Sequence, residues 1–132
     1  MNKLAIGICV ILVVIIGGLF FISDSAPTGS TVVEIRNVKT FNVTGDHLRF
    51  FINGIENPEI LVNEGEKVVI NFKSTEGFHD WVLDEFNAKT NQVTGEQVSA
   101  VEFIADKKGT FEYYCSVGQH RTNGMFGKFI VQ

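Results

Sequence analysis

The stretch YYCSVGQHRTNGMFG, residues 113–127, places Cys115, His120 and Met125 in the pattern C-x4-H-x4-M. Their side chains offer a thiolate, an imidazole and a thioether, donors that suit a transition metal. Gly118 and Gly124 give the loop between them the backbone freedom to fold back on itself. One more imidazole would complete two nitrogens, a thiolate and a weak axial thioether, the donor set of a blue-copper electron-transfer site. His79, which follows the turn signal STEG and opens the run HDWVLDEF, is the candidate. Zinc also accepts cysteine and histidine, but structural zinc takes nitrogen and thiolate donors rather than a thioether. A dinuclear copper centre would need a second cysteine in the loop, and Ser116, Val117, Gly118 and Gln119 supply none. Taken singly, each residue has a plainer reading: an inert thiol, a turn histidine, a methionine filling a gap in the core. Their common order along the chain is what points to one metal ion.

These residues need a scaffold, and the sequence predicts one made of strands. Val-, Ile- and Phe-rich runs such as VVEIRNVKTFNVT, KVVINFKS, VSAVEFIA, TFEYYC and GKFIVQ alternate with the breaks TGD, NEGE, STEG, TGE and DKKG. Many short strands with closely spaced turn signals argue for an antiparallel sandwich or barrel. Period-two alternation puts Phe111, Tyr113 and Cys115 on one face of their strand, with Glu112 and Tyr114 opposite. Cys115 therefore leaves the strand on the core side. Val68, Ile70 and Phe72 form a second apolar face, and Val101 and Phe103 a third. Both prolines, Pro27 and Pro58, fall outside the strand runs.

The amino-terminal region reads differently. Residues 4–22, LAIGICVILVVIIGGLFFI, carry no charge, and a helix of that length approaches the thickness of a bilayer's hydrocarbon core, about 30 Å. An uncleaved anchor is expected over residues 1–23, with a cleaved signal peptide as the rival. Lys3 before the run and Asp24 after it predict that the remainder lies outside the cytoplasm. Residues 24–31, DSAPTGST, read as a linker, and residues 32–132 as the folded domain. Cys9 lies within the apolar run, so Cys115 is the only cysteine beyond it. An exported thiol without a partner needs protection, and a metal would provide it. The net charge of −4 argues against a nucleic-acid partner.

The segments ILVNEGEKVVINF, GFHDWVLDEFNAKT and VEFIADKKGTFEYYCSVGQHRTNGMFGKFIV resemble the cupredoxins, the plastocyanin and azurin family, over roughly residues 56–132. The resemblance implies an all-β, Greek-key β-sandwich holding one copper ion per chain at one end. It makes His79 the upstream ligand, Cys115 the thiolate, His120 the second imidazole and Met125 the axial thioether. In those relatives asparagine usually follows the upstream histidine and ties the two ligand segments together. Here that residue is Asp80, which can accept hydrogen bonds but cannot donate when ionised.

The expected function is a type 1 copper electron carrier, a monomer held at the outer face of the cell membrane through residues 4–22. If the run is cleaved, the domain is periplasmic or secreted instead. The expected partners are membrane or extracytoplasmic oxidoreductases, which electrons would reach through His120 at an apolar rim of Val117, Phe126 and Trp81. An extracytoplasmic copper chaperone or buffer is the alternative function. A mononuclear copper enzyme is a lesser one, since Met125 fills the position a substrate would need; no catalytic residues are assigned. His47 reads as a surface histidine, Asp84 and Glu85 as a solvated turn, and NVT at Asn42 as a formal glycan acceptor.

Overall fold

A computed structural model describes residues 37–132. The apolar run 4–22 and the linker 24–31 lie outside the described residues. Among the described residues no helix is long and apolar enough to cross a membrane.

In chain order the strands are β1 (Val38–Asp46), β2 (Arg49–Ile52), β3 (Ile55–Glu56), β4 (Ile60–Val62), β5 (Lys67–Glu76) and β6 (Phe78–His79). They continue with β7 (Val82–Leu83), β8 (Ala88–Lys89), β9 (Val93–Thr94), β10 (Val98–Ile104), β11 (Gly109–Tyr114) and β12 (Phe126–Val131). One sheet has the order β10-β5-β1-β2-β3 and the other β4-β12-β11-β7-β8, with β6 and β9 forming a separate ribbon. The chain crosses repeatedly between the two sheets, as a Greek-key sandwich requires.

The sheets are not purely antiparallel, which corrects the expectation from turn spacing. β1 runs parallel to β5, with Val43 opposite Phe72, and β12 runs parallel to β4, with Phe129 opposite Ile60. Parallel neighbours need a crossover between them. The β2–β4 segment provides it for the first pair, and most of the domain for the second. Turn signals report local hairpins and carry no record of such long-range pairing.

Alternation along each strand matches burial. Val68, Ile70 and Phe72 are fully buried on the inner face of β5. Tyr113 and Cys115 are buried at the end of β11, with Phe111, Val101 and Phe103 packed against the same core. Burying such side chains contributes about 1.5–3 kcal/mol each. Trp81 stacks between Tyr113, 5.7 Å away, and Phe103, 6.2 Å away. Its indole nitrogen is buried without a hydrogen-bond partner. Asp84–Phe86 form a 3-10 turn in which Asp84 and Glu85 are exposed. Asn42 is exposed on β1 and accepts a hydrogen bond from Asn71 at 3.1 Å.

Tyr113 joins the core to the chain before β4. Its hydroxyl donates to the Pro58 carbonyl at 2.7 Å, and burial pushes its own ionisation well above the usual tyrosine range. Tyr113→Phe keeps the ring and loses this bond. Urea denaturation should show a loss of about 1 kcal/mol with an unchanged slope.

Candidate metal centre

Two segments converge at one end of the sandwich. The first is β6, which carries His79 and continues into Asp80. The second is the loop between β11 and β12. The β11–β12 register ends at Tyr114 opposite Phe126, and the loop is closed at its neck by backbone bonds. The Cys115 amide donates to the Met125 carbonyl at 3.1 Å, and the Met125 amide to the His120 carbonyl at 3.0 Å. Gly118 and Gly124 both take positive φ, 48° and 98°, as the fold-back demands.

Three side chains meet. His79 Nδ1 lies 3.2 Å from His120 Nδ1 and 3.8 Å from Cys115 Sγ, and His120 Nδ1 lies 3.5 Å from Cys115 Sγ. His79 and Cys115 are buried and His120 is half-buried. Met125 is fully buried in the same apolar cluster as Cys115, and its backbone is bonded to both loop ligands as described. The structure thus assembles the histidine–cysteine–histidine group and buries Met125 in the same core cluster as Cys115.

The hydrogen bonds define which nitrogen of His79 is free. Its Nε2 is 2.8 Å from the Glu76 carbonyl. A carbonyl can only accept, so Nε2 carries the hydrogen and the Nδ1 lone pair faces the cysteine and His120. Burial disfavours the imidazolium and, with the nearby His120, holds the His79 pKa below its usual value despite the Glu76 carbonyl. Gly77 makes this placement possible. It has a φ of +91°, and a Cβ there would fall 2.6 Å from His79 Nε2. Burial likewise pushes the Cys115 thiol up to about 11, although the amides of Asp80 and Val117 favour the thiolate. A cation is what would make the thiolate stable here.

The spacing suits a metal ion. Bonds of about 2.0 Å to nitrogen and about 2.3 Å to sulfur in a trigonal plane set the nitrogens about 3.5 Å apart and each about 3.7 Å from sulfur. The observed separations agree to within a few tenths of an ångström. With a thioether beside them, His79, Cys115, His120 and Met125 fit one copper ion per chain.

Asp80 holds the two segments together. One carboxylate oxygen accepts from the Ser116 amide and the other from the Ser116 hydroxyl, both at 2.6 Å. Lys89 Nζ lies 3.4 Å from the second oxygen. Burial alone would raise the Asp80 pKa, but the two Ser116 bonds and Lys89 outweigh it and hold the group below the usual carboxylate value. Asp80 thus makes the tie that asparagine makes in the family it resembles, using only acceptors. With these partners its oxygens are engaged away from a role as metal donors.

The surface over the centre departs from the expected rim. A depression of about 640 Å³ exposes His120 and is lined by Leu48, Phe78 and Val117 on its apolar side and by Arg49 and Glu76 on its polar side. Trp81 is fully buried and takes no part in the rim. Phe126 is 43% exposed but lines a separate depression with Lys128. Phe78, 46% exposed, takes that place. The signal for it was present in the sequence: with His79 pointing inward, alternation turns Phe78 out. His47 is exposed in a turn and bonds to Asp46 at 2.6 Å, as a surface histidine.

The comparisons agree with this geometry. The family model described as Multicopper oxidase matches residues 79–132, the segment from the first histidine to the last strand. No curated protein sequence matches the chain. Among solved structures, auracyanin A, a "blue" copper protein from the green thermophilic photosynthetic bacterium Chloroflexus aurantiacus, is 23% identical, with a TM-score of 0.61 over 72% of this chain and 99% of that one. Dithionite-reduced auracyanin from Roseiflexus castenholzii is 21% identical, with a TM-score of 0.60 over 70% and 96%. Rusticyanin from Thiobacillus ferrooxidans is 26% identical, with a TM-score of 0.56 over 71% and 78%. The fold is cupredoxin-like.

The Asp80 tie generates a stability prediction with a defined sign. Its pKa is lower in the folded than in the unfolded chain. Its contribution is therefore complete above the unfolded value, about 3.9, and is lost as pH falls through the folded value. Asp80→Ala should cost the metal-free chain about 2–3 kcal/mol at pH 7. The difference between variant and parent should shrink in acid. Urea denaturation at pH 7 and pH 3 measures both.

Proposed function

We propose that this protein is a type 1 copper electron carrier of the cupredoxin family, held at the outer face of the cell membrane by residues 4–22. The observation that carries the reading is the triad, with three donor atoms from two segments within 3.8 Å of one another. A bound copper ion would supply a one-electron couple. The chain's residues define its surroundings: His79, Cys115 and Met125 are buried, while His120 is half-buried and, with His79, lines the surface depression.

Such an arrangement suits repeated electron exchange, because a scaffold that holds its ligands in place has little to rearrange when charge changes. It suits metal delivery poorly. A chaperone must release its ion, and here three of the four ligands are buried and the loop neck is closed by two backbone bonds. It suits an enzyme poorly as well, since Met125 as a fourth donor would leave no open position for a substrate. The apolar edge of Leu48, Phe78 and Val117 around His120 offers a small contact of the kind used in transient redox encounters. Anchoring would raise the local concentration of the carrier for membrane oxidoreductases.

Loading the full chain with copper(II) should give an intense visible thiolate absorption, a type 1 paramagnetic resonance spectrum and a reversible one-electron couple. Cys115→Ser should abolish the absorption. Met125→Leu should keep it and shift the potential. A colourless copper(II) complex of the parent protein would rule the reading out. Val117→Lys should slow electron self-exchange, measured by nuclear magnetic resonance line broadening, by about tenfold at low salt, because two docked copies then oppose like charges. Its visible band should be retained.

A further inference from the structure

The tie between the ligand segments does not need a charge. An asparagine in place of Asp80 could accept from the Ser116 amide through its carbonyl and donate to the Ser116 hydroxyl through its amide. The charge of Asp80 therefore calls for a separate explanation. The side chain is completely buried, and four groups placed to donate face it, beside the Cys115 thiol. These are the amide and hydroxyl of Ser116 at 2.6 Å, Gln92 Nε2 at 3.4 Å and Lys89 Nζ at 3.4 Å. Such surroundings favour an ionised carboxylate, which can accept from all of these donors at once. Asp80 follows the ligand His79, and Ser116 follows the ligand Cys115, so this anion sits one residue from two ligands and is shielded from water.

Lys89 is placed differently. Its ammonium reaches the Ser116 hydroxyl at 3.2 Å as well as Asp80, yet its side chain is 53% exposed. It offsets the carboxylate only from the solvent side, where its field is screened.

We propose that Asp80 and Lys89 set the reduction potential of the centre in opposite directions, Asp80 holding it down and Lys89 raising it. The inference rests on the copper-carrier reading. The oxidised centre carries one more positive charge than the reduced one. A buried anion close by favours the oxidised state, and a cation favours the reduced state. Both are positioning and tuning residues that act through Ser116 and the ligand segments.

The test is voltammetry of the copper-loaded full chain at low ionic strength, the electrode supplying the electron, on the parent, Asp80→Asn and Lys89→Met. Asp80→Asn should favour the reduced state at least tenfold, a rise of about 59 mV for a one-electron couple, with the visible band retained. Lys89→Met should shift the preference at least twofold the other way, and added salt should shrink that shift. A merely structural role would not give shifts of opposite sign in two variants that keep the band. An Asp80→Asn potential within twofold of the parent, or shifts of the same sign in the two variants, would overturn the proposal while leaving the carrier reading intact. A parent without a reversible couple would remove both. If Asp80→Asn does not fold, the sign and salt dependence of the surface variant Lys89→Met decide alone.

Discussion

Two imidazoles and a thiol brought to one point must be held there by the scaffold. His79 Nδ1, His120 Nδ1 and Cys115 Sγ sit within 3.8 Å of one another, and each has its alternatives removed. The Glu76 carbonyl takes the hydrogen of His79 Nε2. The closed neck of the ligand loop fixes Cys115 relative to Met125 and His120. Asp80 locks the start of that loop to the residue after His79. The centre thus gathers donors that suit a cation, around a thiol whose ionisation burial disfavours.

The loop is also held from a third side. Arg49 donates to the Asn123 carbonyl at 3.0 Å, and Asn57 to the Gly124 carbonyl at 3.0 Å. Asn57 in turn accepts from the Phe50 amide on β2, so the end of the loop rests on the opposite sheet. The β11 strand brings Tyr113 into the aromatic stack with Trp81, and the next inward residue is Cys115. Core packing and ligand placement are therefore one problem, solved by the same alternation along the same strand. That continuity makes the centre as rigid as the sandwich beneath it.

The parts legible in the sequence follow from this local logic. Cys115, His120 and Met125 share one loop, so their spacing alone suggests convergence. The inward faces of β5 and β11 follow from period two. Other features depend on contacts between distant segments, and no local pattern reports them. The parallel pairing of β1 with β5 is set by how the chain crosses between sheets. Trp81 appears suited to a rim by its type, but Tyr113 and Phe103 enclose it. Phe78 is legible by the same alternation, since it precedes the inward-facing His79 on β6 and so points out. Asp80 stood out as a departure from asparagine, yet its meaning depended on Ser116 and Lys89, which only the fold brings to it.

The centre consequently has two unlike sides. The inner side, with Met125, Cys115 and the buried carboxylate, is closed to water, so charges there act at close to full strength and geometry cannot drift. The outer side has His120 and His79 lining a depression with an apolar edge of Leu48, Phe78 and Val117 and a polar edge of Arg49 and Glu76. Separating the two lets the surface change to suit a partner while the inner side keeps the electronic character of the site. A residue such as Lys89, exposed at one end and bonded to the buried pair at the other, is where the two sides meet. A charge brought against Lys89 would weaken its hold on Asp80 as well, since both reach the Ser116 hydroxyl.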